Sequence, residues 1–575
     1  MKSKANRDLL RTLGINLAIF ISFILLGYFF IYPFIMRGIV FNGDDAWYQV
    51  NRLLEVKEGL KAGNPLVYIY SHTFGKVAYP LGIFYPEITI IPISALMLIV
   101  KHPVTGIYLG IAGYTILTLV IVYFLLRKLG KSRYGAYIGS VLYAFSAYRT
   151  VDAFTRFALG EYIAMTFLPL CLYGFYMILK GNRSEWPYLS MGLAGMLLSH
   201  ILSTFIVVVF LAICWCASLI YDKKRLKTFL ALVKSGIFAI LASLMFLEPF
   251  LEQEFFQSYS KPSPIPMSEA ASTFSDILMS ALNNSVLKSY TAAYSIGFPL
   301  MLVVFLGAIL YKRLANTGKK SYLVGIIILI SVSNLFPWYL LQDTIFSVIQ
   351  YPFRIIMLPT LLLSLVGAEI MDISFENILP KLGKKLIISS ILVIGIASFW
   401  GSSVQKLIKD PGYNSKNLIY TNNSDYFDGT MYVDQYTPKK TIPYLPELYT
   451  HTAIINKKNK IKLSVASKAG EQIFSSHDFR RGITVDVPVS YYKNYEVYQD
   501  NKKLASKISK RNTIEVKLRS NNPITIKYRY TVLNKLSYII SVVMWGLFGL
   551  ILITKNITLK SITNNKNISE SNTVF

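Results

Sequence analysis

The stretch GINLAIFISFILLGYFFIYPFIMRGIVFNGDDAWYQVNR, residues 14–52, decides the class of the molecule. Its first part, Gly14 to Met36, is apolar and uncharged. It is long enough to cross the hydrocarbon core of a bilayer, which takes about 20 residues of helix. The basic start MKSKANRDLLR precedes it and no small-residue cleavage site follows. It therefore reads as a retained first transmembrane helix with its N-terminus in the cytoplasm. Immediately beyond come Asp44 and Asp45. Carboxylates at the lip of a membrane lose hydration and gain no apolar contact, so they have a task or a partner.

The rest of the 575-residue chain, 53% hydrophobic, repeats the pattern of that first run. Basic clusters at 127–133, 180–183, 222–227, 311–320 and 380–385 alternate with apolar segments and read as cytoplasmic loops. This gives a polytopic α-helical membrane protein of about twelve transmembrane helices, with both termini inside. Residues 1–402 form the transmembrane domain, with an extracytoplasmic loop at 37–103. The apolar segment Ile83–Val100, interrupted by Pro86 and Pro92, reads as a re-entrant or surface-lying helix. Residues 403–531 change character. IKLSV (461–465), GITVDVPV (482–489), TIEVKL (513–518) and ITIKYRYT (524–531) alternate with period two, so this region is expected to be an extracytoplasmic β-rich domain. A last helix, 532–554, and a cytoplasmic tail, 555–575, complete the chain. The net charge of +28 gathers at membrane flanks, which fits topology and anionic lipid, with no nucleic acid as partner. Cys171, Cys214 and Cys216 lie in apolar runs and suggest no disulfide framework.

Several polar residues are candidates for chemistry. From Asp45 the sequence reads as an amphipathic helix ending near Gly63, with Asp44 near its N-cap. One carboxylate suffices to cap a helix, so the second is available as a base or to orient an acceptor hydroxyl. Arg149, Asp152 and Arg156 follow helical spacing and are expected on one face of an outer turn. They form either a self-neutralising ion pair or a phosphate grip, for which a planar guanidinium is suited. Glu161 stands just inside an apolar run. Arg354, after Pro352 in QYPFR, either snorkels to the interface or supplies a second phosphate contact. His200 marks an outer apex, and His72, in YSHTFG, is expected to line the outer cleft. No cofactor motif is evident. Two aspartates with phosphate oxygens would suit Mg²⁺ or Mn²⁺, so the metal stays open.

An acidic motif opening a juxtamembrane helix after the first span resembles the GT-C glycosyltransferases. More closely, GDDAWYQVNR, TFG (73–75), IFYP (83–86), YRTVDAFTRFALGEYIAMTFLPL (148–170), LLSH (197–200) and QYPFR (350–354) resemble a bacterial family. Its multispanning members are called YfhO-like or 6-pyruvoyl-tetrahydropterin-synthase-related. The resemblance implies a GT-C-like fold and sugar transfer from a polyprenyl-phosphate-linked donor to a cell-envelope glycan such as teichoic acid or a wall polysaccharide. In that frame Asp44 is the catalytic member, with Asp45 as its support and Glu161 as a third catalytic candidate. Tyr48, His72, Arg149, Asp152, Arg156, His200 and Arg354 bind substrate. The alternatives are a transporter or flippase of lipid-linked sugars and a non-catalytic envelope assembly protein.

Overall fold

The computed structural model describes residues 2–262, 265–288, 293–378, 382–414, 420–422, 424 and 429–571, with side chains left out for 2–9, 376–378, 382 and 556–571. Among the described residues seven helices are long and apolar enough to cross a membrane: Leu10–Ile35, Pro103–Lys128, Leu159–Leu179, Ile201–Ser218, Pro352–Phe375, Gly383–Lys409 and Val532–Lys555. The chain is therefore a multi-pass helical membrane protein. An eighth crossing is available as the pair Arg225–Ala242 and Leu244–Glu254, bent by 81°. The last helix satisfies backbone groups freed at that bend. Ser541 Oγ accepts the Met245 N–H at 2.9 Å and donates to Leu241 O at 3.1 Å, and Trp545 Nε1 donates to Ala242 O at 3.2 Å.

The remaining expected spans are shorter helices: Arg133–Ala144, Trp186–Leu197, Phe298–Ile309 and Asn316–Ser331. These helices have 12 to 16 residues, and at about 1.5 Å per residue they reach only about 18–24 Å. Counting apolar runs thus gave about twelve segments, while seven or eight have spanning length. Arg133–Ala144 is broken at Phe145–Ser146 and resumes as Ala147–Thr150 and a π-helical turn, Val151–Thr155. Within Ile83–Val100 the longest helix is Ile91–Ile99, too short to cross a bilayer. It packs through Ile93 and Met97 into the apolar core that also holds Ile107 and Ile111 of the Pro103–Lys128 helix.

The loop between the first two spanning helices holds the helix Ala46–Lys61. An interfacial helix would leave its polar face wet. Here Gln49, Asn51, Arg52 and Glu55 are buried along with the apolar residues, because other segments cover that face. Glu55 Oε1 accepts the backbone N–H groups of His72 and Thr73, each at 2.7 Å. Arg52 donates to Gln49 Oε1 at 2.8 Å and lies over the Tyr85 ring at 3.8 Å.

The helix Gly383–Lys409 continues past residue 403, and the strand Tyr420–Thr421 pairs antiparallel with Ile39–Val40 of the first loop. The β-region proper is a sandwich of two five-stranded sheets between Thr452 and Tyr528. All four alternating segments form strands, but IKLSV splits at Leu463. Asn459–Lys462 pairs with Thr452–Ile455 in one sheet, and Ser464–Lys468 pairs with Glu471–Ser475 in the other. Leu463, buried in the sandwich core, makes the corner. That core is shared with Tyr68, Ile69, Ile83 and Phe84 of the first loop. The Tyr495 hydroxyl donates to Ala78 O at 2.9 Å, and Gln253 Nε2 donates to Lys493 O at 2.9 Å. The sandwich is thereby clamped to the loop-bearing end of the helical bundle.

Candidate functional site

The acidic pair sits where the first loop meets the helical bundle. Asp45, and not Asp44, holds the N-cap position of Ala46–Lys61, and its side chain makes no capping hydrogen bond. Its backbone N–H donates to Arg156 O at 2.7 Å, which pins the pair against the turn before the Leu159–Leu179 helix. Gly43 permits this approach: a Cβ there would lie 2.8 Å from Arg156 O. The two carboxylates differ in surroundings. Asp44 is 41% exposed, 3.4 Å from Lys288 Nζ, and its Oδ2 accepts from the Tyr294 hydroxyl at 3.3 Å. Asp45 lies deeper. Burial raises its carboxyl above the ordinary range, and the opposing influences are the guanidinium groups of Arg156 and Arg354.

Arg156 is the hub of the turn. Its Nη1 donates to Asp152 Oδ1 and to Glu161 Oε2, both at 2.7 Å, with all three side chains buried. The Tyr148 hydroxyl donates to the other oxygen of Glu161. Nε and Nη2 of Arg156 carry no hydrogen bond among the described residues. The ion pair read from spacing is therefore present, while part of the guanidinium fork stays available. Phe353 packs against Arg156, with 5.0 Å from Cζ to the ring centre, and Tyr294 meets Phe353 edge-on at 4.9 Å. Next to Phe353, Arg354 Nη1 donates to Ile349 O at 3.0 Å and Gln350 Oε1 at 3.1 Å. Its Nε is buried without a partner among the described residues.

Arg149 departs from its expected place. The π turn, with its hydrogen bond from Arg156 N–H to Val151 O at 2.8 Å, lies between Asp152 and Arg156, while Arg149 belongs to the preceding helix, Ala147–Thr150. Asp152 stays with Arg156, but Arg149 packs over the rings of Tyr162 at 4.4 Å and Tyr143 at 5.6 Å and donates to Tyr162 O. His72 stands beside Glu55, with Nδ1 at 3.5 Å from Oε2, near the strand Ser464–Lys468 through the Ser71–Lys468 hydrogen bond. His200 caps the helix Ile201–Ser218: its Nδ1 accepts the Ser203 N–H at 3.3 Å. Its ring centre lies 6.1 Å from that of Tyr85. Tyr48 is edge-on to Tyr85 at 5.8 Å and Tyr432 at 5.7 Å.

Lys288, Tyr294, Phe353 and Tyr432 escaped the sequence reading. Each stands hundreds of positions from the acidic pair, and none carries a local pattern; Phe353 alone falls inside a quoted motif, QYPFR. Among the described residues no three His, Cys, Asp or Glu side chains gather as a metal cage. A divalent ion held by Asp44 and Asp45 would have to displace the Lys288 ammonium from Asp44.

No family model matches the chain, and no curated protein matches it. Among solved structures it is similar to the arabinofuranosyltransferase AftD from Mycobacteria, at 11% identity and a TM-score of 0.45, over 89% of this chain and 40% of that one. It is also similar to ArnT from Cupriavidus metallidurans bound to undecaprenyl phosphate, at 12% identity and a TM-score of 0.32, over 66% and 63%. A third is the archaeal oligosaccharyltransferase AglB from Archaeoglobus fulgidus in complex with an inhibitory peptide and a dolichol-phosphate, at 12% and 0.34, over 75% and 57%. The chain thus spans between two fifths and two thirds of these proteins' lengths.

Proposed function

We propose that the protein is a GT-C-type membrane glycosyltransferase that moves a sugar from a polyprenyl-phosphate-linked donor to an extracytoplasmic envelope glycan. The observation that carries this reading is the Asp45 carboxylate. It stands at a helix start without capping it, at the edge of a helical membrane bundle, facing two arginines that keep spare donors. The motif resemblance named from the sequence points the same way.

In the proposed reaction the acceptor hydroxyl oxygen attacks the anomeric carbon. The bond from that carbon to the lipid-phosphate oxygen breaks, the phosphate leaves with the electron pair, and Asp45 takes the hydroxyl proton. Negative charge grows on the departing phosphate, where Arg354 Nε and the free edge of Arg156 stabilise it. Asp152, Glu161 and Tyr148 hold Arg156 in place. Asp44 pairs with Lys288, so the two aspartates exchange the roles expected from their order in the chain. Burial of Asp45 serves the base, since a raised pKa strengthens proton capture. The sandwich and the first loop lie on the extracytoplasmic side in this reading.

The test is mass spectrometry of cell-envelope polymers from a deletion strain, complemented with wild type or with Asp45→Asn. The expected result is loss of one glycosyl substituent, restored by wild type alone. An unchanged polymer profile, or full restoration by Asp45→Asn, refutes the proposal and favours transport or assembly.

A further inference from the structure

A polar cleft of about 380 Å³ is lined by Gly75, Lys76, Gly429, Thr430, Tyr449 and His451. This is within the size range of small-ligand sites. One wall belongs to the first loop and the other to the segment leading into the sandwich. They come together tightly, since a Cβ on Gly75 would lie 2.7 Å from Thr430 Cγ2. Trp47, two residues after Asp45, joins the cleft to the candidate active site. Its ring meets Phe74 edge-on at 5.0 Å, and a Cβ on Gly429 would lie 3.6 Å from it.

The Lys76 wall is held in an uncommon conformation. Phe74, Gly75 and Lys76 have φ of 53°, 68° and 54°, a left-handed run that only glycine adopts freely. Such conformations persist where the surroundings impose them, and they gather at ligand sites. Here the run leaves Lys76 exposed at the mouth of the cleft. Directly after His451 the hairpin Thr452–Ile455 and Asn459–Lys462 carries exposed Lys457, Lys458, Lys460 and Lys462. Glu447 offsets one of them, at 3.4 Å from Lys460 Nζ. Of the lining residues Lys76 carries the cationic charge, beside the Tyr449 phenol, the His451 imidazole and the Thr430 hydroxyl, and the Asp434 carboxylate acts on Tyr449 from nearby.

We infer that this cleft is the acceptor subsite and that it takes an anionic glycan, because the exposed Lys76 with Tyr449 and Thr430 suits a charged, hydroxyl-rich chain reaching toward Asp45. The inference rests on the glycosyltransferase reading. Phosphodiester and uronate polymers share the required chemistry, so the test includes both.

Full-length protein in zwitterionic lipid nanodiscs, without donor lipid, is titrated calorimetrically with a glycerol-phosphate hexamer, a galacturonate hexamer and neutral maltohexaose. At least one anionic hexamer is expected to bind about tenfold tighter than maltohexaose, and the tighter of the two identifies the acceptor's acidic group. Lys76→Asn removes the charge while tolerating positive φ, and should weaken that binding about tenfold. Lys76→Arg should retain it. No preference for the anionic hexamers overturns the inference, as does wild-type binding in both Lys76→Asn and Tyr449→Leu. Cleft-dependent binding without any sugar transfer would instead sink the enzymatic reading and leave the cleft as a glycan site. Transfer lost in Asp45→Asn, with the cleft variants normal in binding and transfer, would overturn this inference alone.

Discussion

Replacing Asp45 by asparagine separates a structural from a chemical role. A capping aspartate gives a helix about 1 kcal/mol, but Asp45 makes no capping bond, so that loss does not arise. What remains is the interaction of its charge with the helix dipole, about 0.3–1 kcal/mol. Burial opposes this, because the raised pKa means that the folded protein favours the neutral carboxyl, which the amide resembles. The variant should therefore melt close to wild type. If Asp45 is the base, turnover falls by about 10²–10⁴, or about 2.7–5.5 kcal/mol of barrier at 1.36 kcal/mol per decade. Asp44→Asn loses only its pairing with Lys288, 3.4 Å away, from a carboxylate 41% exposed. Lys288 is buried but Asp44 is open to water, so the screened pair contributes about 1 kcal/mol and turnover should stay within about fivefold. The assay is transfer of labelled sugar from a polyprenyl-phosphate donor by purified protein, with thermal melting in parallel. Turnover above about a tenth of wild type in a normally melting Asp45→Asn refutes the base assignment. A hundredfold loss in Asp44→Asn would return the role to Asp44.

Arg156→Met should destabilise the fold by about 3–5 kcal/mol, because it leaves Asp152 and Glu161 buried without their shared cation; a melting temperature like wild type would show that the ion pair is not structural. Glu87 is buried against Tyr70 and Val67 N–H, and burial raises its carboxyl to about 7. Between its ordinary value and 7 the folded protein binds the extra proton, so stability should fall by about 3 kcal/mol as pH rises through that window. Glu87→Gln should flatten this dependence in melting curves from pH 5 to pH 8, and an unchanged slope would contradict it. Lys458→Cys, on the exposed hairpin turn, should react with an impermeant thiol reagent in intact cells; labelling only after lysis would place the sandwich in the cytoplasm and remove the proposed donor.

What the sequence determined by itself follows from near neighbours along the chain. Long apolar runs such as Leu10–Ile35 and Val532–Lys555 form helices of spanning length, because the bilayer thickness sets that length. Period-two alternation at 482–489, 513–518 and 524–531 gives strands, because a half-buried sheet demands it. The Asp152–Arg156 pair follows from helical spacing. Tertiary structure decided the rest. The rings of Tyr143 and Tyr162 took Arg149 in place of the ion pair, and a corner at Leu463 divided one alternating segment between two sheets. Packing over the helix Ala46–Lys61 buried the face that its sequence marks as wet. The difference between Asp44 and Asp45 is of the same kind. They are adjacent and chemically identical, but Lys288 and Tyr294 reach one while Arg156 and Arg354 face the other. Those partners arrive from distant segments folded onto one end of the bundle, and no periodicity encodes a contact made across hundreds of residues.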